Sequence, residues 1–92
     1  MKQSYIYIMT NKKDGTLYIG VTSDLIKRVY EHNNSFVDSF TKRYNLKHLV
    51  YYEDIQEAIK REKQLKAGSR SKKTELINSM NNNWNDLYES LL

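Results

Sequence analysis

Two runs of β-branched and aromatic residues, Tyr5-Ile6-Tyr7-Ile8-Met9-Thr10 and Thr16-Leu17-Tyr18-Ile19-Gly20-Val21, lie five residues apart around Asp14-Gly15. Such runs favour a pleated, half-buried surface, and Asp-Gly is a strong turn signal, so the start of the chain is constrained to an antiparallel hairpin. A two-residue turn sets Lys13 opposite Thr16; a four-residue loop sets Asn11 opposite Thr16. In either register Tyr7 and Tyr18 share a face, because directly opposed residues share a face and side chains alternate along a strand. A three-residue loop would part them.

After the hairpin the periodicity changes. Thr22, Ser23 and Asp24 offer N-cap oxygens ahead of Leu25, Ile26, Val29 and Tyr30, the spacing of a short amphipathic helix that ends near Asn33-Asn34. Arg28 and His32, four residues apart, fall together on the edge of its apolar face, at the rim where helix meets sheet. Residues 33–46 lack a clean period and read as a loop tied down by Phe36, Phe40 and Tyr44. A third strand is expected over residues 48–52. Asp54 and Glu57 resemble a capping box that opens a helix running to Ala67, with Gly68 as its C-cap. Its inward stripe is Ile55, Ala58, Ile59 and Leu65. Glu62, four residues after Ala58 and three before Leu65, then lies within the apolar arc, where an aliphatic residue belongs. Ser69 or Ser71 can cap a further helix carrying Leu76, Ile77 and Met80. Asn81-Asn82-Asn83 interrupts it, and Trp84, Leu87, Tyr88 and Leu91 pack a final turn or two.

Composition narrows the function. With 92 residues the chain is read as one domain, 1–92, whose motif-bearing core spans 4–68 and whose segment 69–92 is helical packing. The absence of cysteine excludes a disulfide staple, a thiolate metal site and a Cys nucleophile. The longest apolar run, residues 5–9, is far short of the ~18 residues that a membrane span needs, so the expected location is the cytoplasm, with no membrane partner. The net charge of +4 is modest. Its distribution is not: Lys60, Arg61, Lys63, Lys66, Arg70, Lys72 and Lys73 crowd one stretch against Glu62 alone, a density that attracts phosphate backbone.

An ionised carboxylate among apolar side chains must be neutralised, ion-paired or bound to a cation. Glu62 is therefore either half of an internal pair, with Arg28 or a nearby lysine, or an oxygen ligand for a hard divalent ion. Arg28 can form a surface pair with Asp24 or hold a phosphate that gains charge in a transition state. His32 can simply oppose the helix dipole, and Tyr7 and Tyr18 can be a packing pair. Their convergence on one sheet face is what points to chemistry.

These residues resemble a known family. Tyr5-Ile6-Tyr7, then Tyr18-Ile19-Gly20, then Arg28 eight residues after the glycine, and Glu62 within Glu57-Ala58-Ile59-Lys60-Arg61-Glu62, look like the GIY-YIG nuclease domain, in particular its small stand-alone bacterial members. Phe40-Thr41-Lys42-Arg43-Tyr44 and Leu49-Val50-Tyr51-Tyr52-Glu53 add to the likeness. The resemblance implies a small α/β (α+β) fold, a three-stranded antiparallel sheet flanked by helices, carrying a metal-dependent phosphodiesterase site. It assigns Tyr7 and Tyr18 to the two motif tyrosines, Arg28 to the helix arginine, His32 to the histidine four residues on, and Glu62 to the metal. Tyr5 stands where the motif opens with glycine, Val21 where one branch has lysine, and Asn78 is the candidate for an asparagine seen in other branches.

The expected activity is a Mg²⁺- or Mn²⁺-dependent endonuclease on DNA, with RNA left open, selecting structure rather than sequence because no appended domain reads base edges. One ion is expected, since Asp14 lies in a turn and Asp24 caps a helix, leaving Glu62 alone. Tyr7 is expected to activate the water with Tyr18 and His32 as a relay, Arg28 to stabilise the phosphorane, and the cation at Glu62 to neutralise the leaving oxygen. A tyrosine at its ordinary pKa of about 10 is one part in a thousand phenolate at pH 7, so this role requires cations that lower Tyr7 or a proton acceptor in His32. Two other readings compete. One is a non-catalytic nucleic-acid-binding module using residues 60–73. The other is a structural or partner-binding protein in which Glu62 and Arg28 are an internal pair; a protein partner for substrate choice is compatible with the nuclease.

Overall fold

The structure is a computed structural model and describes residues 4–34 and 43–92. Phe36 and Phe40, expected to tie down the loop, lie outside the described residues. Strands β1 (Tyr5–Thr10) and β2 (Leu17–Thr22) form the hairpin. Thr10 opposes Leu17 and Tyr7 opposes Gly20, the register of the four-residue loop. The loop closes through Gly15 N–H donating to Lys12 O at 2.9 Å and Thr16 N–H donating to Asn11 Oδ1 at 3.2 Å. Its left-handed residue is Asp14, at φ 60°, rather than Gly15. Aspartate tolerates that region better than most side chains.

Strand β3 (His48–Asp54) pairs antiparallel with β1, giving the order β2-β1-β3. It runs two residues past the expected end. Asp54 opposes Tyr5, and Ile55 N–H donates to Ser4 O at 2.9 Å, so the ladder claims the residue expected to cap the next helix. That helix, α2 (Ala58–Ala67), starts instead behind Glu57, which makes no side-chain cap bond. A bulge alters β3: Ile8 opposes Tyr51 but Met9 opposes Leu49, leaving Val50 as an extra residue. The bulge turns Val50 and Tyr51 to the same side, which strict alternation would not.

The sheet buries both faces. On one, Ile6, Ile8, Ile19, Val50 and Tyr51 pack with Ala58 and Leu65 of α2, with Trp84, and with Ile77 of α3 (Arg70–Met80). On the other, Tyr7, Met9, Leu49 and Leu46 pack with Leu25 and Val29 of α1 (Leu25–Asn33). This is the expected α+β architecture: a three-stranded antiparallel sheet with three helices among the described residues. Asp24 caps α1 by accepting from Lys27 N–H, and Ser69 caps α3 by accepting from Lys72 N–H. Asn81 ends α3, and a 3-10 turn, Glu89–Leu91, closes the chain.

Five expected packing positions are corrected: Ile59, Ile26, Tyr30, Met80 at 45 % exposure and Tyr44 at 40 %. Ile59 is 66 % exposed, because the line from Ala58 to Leu65 defines the buried side of α2 and the next residue turns about 100° away from it. Ile26 and Tyr30 are likewise exposed, since α1 buries only the Leu25, Val29 and His32 row.

Candidate active site

Tyr7 sits mid-strand in the central strand, so its ring is enclosed by sheet neighbours below and α1 above, and it is 0 % exposed. The ring lies across Gly20, its cross-strand partner. A Cβ there would fall 2.5 Å from Tyr7 Cζ and from its hydroxyl oxygen, so only glycine leaves the ring in place. Gly20 was not singled out from the sequence as a site residue. The usable signal was a glycine inside an otherwise β-branched strand, which marks close approach by another group.

With the ring fixed, its hydroxyl meets two residues of α1, one turn apart. Arg28 Nε–H donates to Tyr7 Oη at 3.2 Å, and Tyr7 Oη lies 3.0 Å from His32 Nε2. Burial is the main cause that pushes the Tyr7 hydroxyl up to about 12, and the adjacent Arg28 only partly offsets it. The phenol therefore keeps its proton at neutral pH, and while Arg28 donates to its oxygen it shares a hydrogen bond with His32 Nε2 whose direction follows the imidazole tautomer. Of the two routes open to Tyr7 as a base, burial works against a lowered hydroxyl, while the 3.0 Å contact brings His32 Nε2 within reach of its proton. Desolvation outweighs the single partly exposed guanidinium. Arg28 in turn is pushed further above its ordinary range, first by its bond to Tyr7.

Tyr18, opposite Met9 on the same sheet face, completes the group. Its ring centroid is 6.2 Å from that of Tyr7 and 5.5 Å from the His32 ring, while Tyr7 and His32 are 5.6 Å apart and edge-on. His32 is buried among them at 2 % exposure. Tyr18 and Arg28 are the two members with part of their surface in solvent. Arg28 does not pair with Asp24, whose carboxylate is used as the cap. It approaches Glu31 at 3.7 Å and lines a shallow depression with Thr22, Ser23 and Lys27.

Glu62 belongs to the other layer. α2 packs chiefly over β2, with Lys63 sharing a depression with Val21 and Lys66 sharing one with Leu17, Tyr18 and Ile19. Glu62 therefore lies at the level of the middle of β2. Its side chain is 24 % exposed, on the shoulder of the apolar line rather than its centre, and its Oε2 is 3.5 Å from Lys66 Nζ. An ion pair of this kind, between residues four apart on a wet helix face, is worth only a few tenths of a kcal/mol. The internal pair with Arg28 is not formed. Among the described residues no three His, Cys, Asp or Glu side chains gather into a metal cage. A lone half-buried carboxylate with a weakly held lysine fits a hard cation that keeps most of its water, as Mg²⁺ does.

The basic stretch is divided among several surfaces. Arg61 is locked to Glu53 through two hydrogen bonds of 2.9 and 3.0 Å, and Glu53 also accepts from Tyr51 Oη–H. Arg61 holds the Glu53 carboxyl below the usual carboxylate range, while burial pushes the Tyr51 hydroxyl up to about 12. Arg70 donates to Gly15 O. Lys60 and Lys63 lie near Val21, Lys72 lines a groove between α2 and α3, and Lys66 and Lys73 flank Tyr18. Asn78 accepts from Trp84 Nε1–H at 2.8 Å, a packing role.

This arrangement can hold an anion at Arg28 and Tyr18 and polarise it from a buried proton-bearing row behind. The family described as the GIY-YIG catalytic domain matches residues 3–75, and the chain belongs to that family. A UPF0213 protein of Staphylococcus saprophyticus is 44% identical over 80 residues, covering 84% of this chain and 96% of the relative. A UPF0213 protein of Staphylococcus aureus is 40% identical over the same share of each chain. The solution NMR structure of a UPF0213 protein of Bacillus halodurans is similar at a TM-score of 0.53 and 30% identity, covering 85% of both chains. No helix of the described residues is long and apolar enough to cross a membrane.

Proposed function

We propose that this protein is a divalent-metal-dependent endonuclease that hydrolyses phosphodiester bonds in DNA and selects its substrate by structure. The observation that carries the reading is the row Arg28–Tyr7–His32, held at 3.2 and 3.0 Å beneath the partly exposed Tyr18, on a chain whose family is nuclease.

The roles follow from accessibility. Arg28, charged at every relevant pH, faces solvent with part of its guanidinium and steadies the non-bridging oxygens of the phosphorane. Tyr18, rather than the enclosed Tyr7, is the phenol that a water or phosphate can reach, and it positions the attacking water. Tyr7 is a positioning residue: it fixes the Nε plane of Arg28 and the His32 ring, so that neither reorganises as charge develops. Glu62 is the residue that would hold Mg²⁺ or Mn²⁺, one ion with a largely aqueous shell. Such an ion, when bound, supplies charge neutralisation at the leaving 3′ oxygen.

The test is cleavage of labelled single-stranded, duplex, flap and branched DNA with Mg²⁺, Mn²⁺ or EDTA. The expected result is cutting that needs the metal, prefers one of the branched forms and is lost in Glu62→Ala. Binding of DNA with no turnover under any of these conditions would favour the non-catalytic module instead.

A further inference from the structure

The two edges of the sheet are treated differently. On β3, Leu49 N–H donates to Asp86 Oδ1 at 3.2 Å and Leu87 N–H donates to Leu49 O at 2.8 Å, so the C-terminal segment covers part of that edge. Strand β2 stands at the other end of the order β2-β1-β3, and among the described residues no strand pairs with its outer side. Native proteins rarely leave such an edge bare without guarding it with charge. Here the guard is Lys66 and Lys73, which with Leu17, Tyr18 and Ile19 line a depression of about 320 Å³. Among the described residues no acidic side chain lines it.

The other cations of the stretch are elsewhere or occupied: Arg61 by Glu53, Arg70 by Gly15 O. Among the described residues Lys66 pairs with Glu62 at 3.5 Å, and its own side chain is 55 % exposed, so it can exchange that carboxylate for another anion. The lysines and the aliphatic floor of Leu17 and Ile19, with Tyr18 between them in the strand, match one strand of a polynucleotide: charge for the phosphates and apolar surface for sugar and base. Resting on the nuclease reading, we propose that Lys66 and Lys73 grip backbone phosphates beside the scissile one, so that the DNA strand runs along the open edge of β2 past Tyr18. Both lysines then set substrate position and affinity, while the chemistry stays with Arg28 and Tyr18.

The experiment is fluorescence-anisotropy binding of a labelled single-stranded DNA oligonucleotide in EDTA, which prevents cutting, over a series of salt concentrations. Each lost phosphate contact reduces the slope of log K against log salt by about 0.7. The double variant Lys66→Gln/Lys73→Gln is expected to be shallower than wild type by about 1.4. The charge-matched Lys12→Gln/Lys13→Gln, in the hairpin loop, keeps the wild-type slope, and Lys66→Arg/Lys73→Arg keeps it too. An unchanged slope in the Lys66/Lys73 glutamine pair, an equal loss in the loop pair, a loss in the arginine pair, or a wild type that does not bind overturns the track. The readout needs no turnover, so the two readings fail separately. Slope loss in a chain that never cuts DNA sinks the nuclease and keeps the track; cutting with an unchanged slope does the reverse.

Discussion

At the residue scale, the buried Tyr7 hydroxyl is the centre of the account. Replacing it in Tyr7→Phe keeps the ring that fills the core but leaves Arg28 Nε and His32 Nε2 without their shared partner. Stability is expected to fall by about 1–2 kcal/mol in urea denaturation, the cost of stranding one buried polar group. Single-turnover cleavage should fall by about 10²-fold, the scale of a lost preorganising contact. The pH behaviour follows from the same burial. Tyr7 and Tyr51 are both raised to about 12 from the ordinary 10, so the unfolded chain loses these protons first as pH rises. Their contribution to stability is therefore complete below pH 10 and is lost as pH climbs through 12. Ultraviolet titration should show a late-ionising tyrosine class near 12 that loses one member in Tyr7→Phe and one in Tyr51→Phe. Glu53 works in the opposite sense: its depressed carboxyl stabilises above the unfolded carboxylate range, and that contribution disappears as acid protonates it.

At the element scale, the hairpin and α1 were legible in the sequence and the start of α2 was not. Alternation through Ile6, Ile8 and Ile19, the Asp14-Gly15 turn and the Asp24 cap are local signals, and they placed Tyr7, Tyr18, Arg28 and His32 together. The Asp54 cap failed because a long-range ladder to Tyr5 outcompeted a local motif, and the Val50 bulge is invisible without its partner strand. Desolvation of Tyr7 was equally out of reach, because it depends on how completely α1 closes over the sheet. For β2 the decisive residue is Gly20. Gly20→Ala drives a methyl into the Tyr7 ring, and is expected to abolish cleavage and lower the melting temperature in a thermal scan, whereas Gly68→Ala, with contacts no nearer than 3.5 Å, leaves cleavage intact. For α2, Glu62→Ala removes only a weak 3.5 Å pair at the edge of the buried surface, so urea denaturation should shift by less than about 0.5 kcal/mol while metal-dependent cleavage is lost. A structural role for Glu62 would couple those two losses.

At the scale of the whole molecule, the sheet divides labour between its edges and its faces. The C-terminal segment covers part of one edge and buries Trp84 against the α2 and α3 core, while among the described residues no strand covers the opposite edge beside Tyr18. Truncation after Met80 removes a Trp that is 5 % exposed and uncovers part of β3, so it is expected to cost more than about 3 kcal/mol and to promote association, read by denaturation and sedimentation. The central claim is that residues from both layers serve one phosphate: Arg28 and Tyr18 from the α1 face, Glu62 from α2 around the edge of β2. Paramagnetic Mn²⁺ titrated into isotope-labelled protein tests it directly by NMR. The account predicts that broadening begins at Glu62 and Lys66, reaches Tyr18 and the Arg28 Nε–H, and disappears in Glu62→Ala. Broadening centred elsewhere, or confined to α2 with Tyr18 and Arg28 untouched, would contradict a shared site.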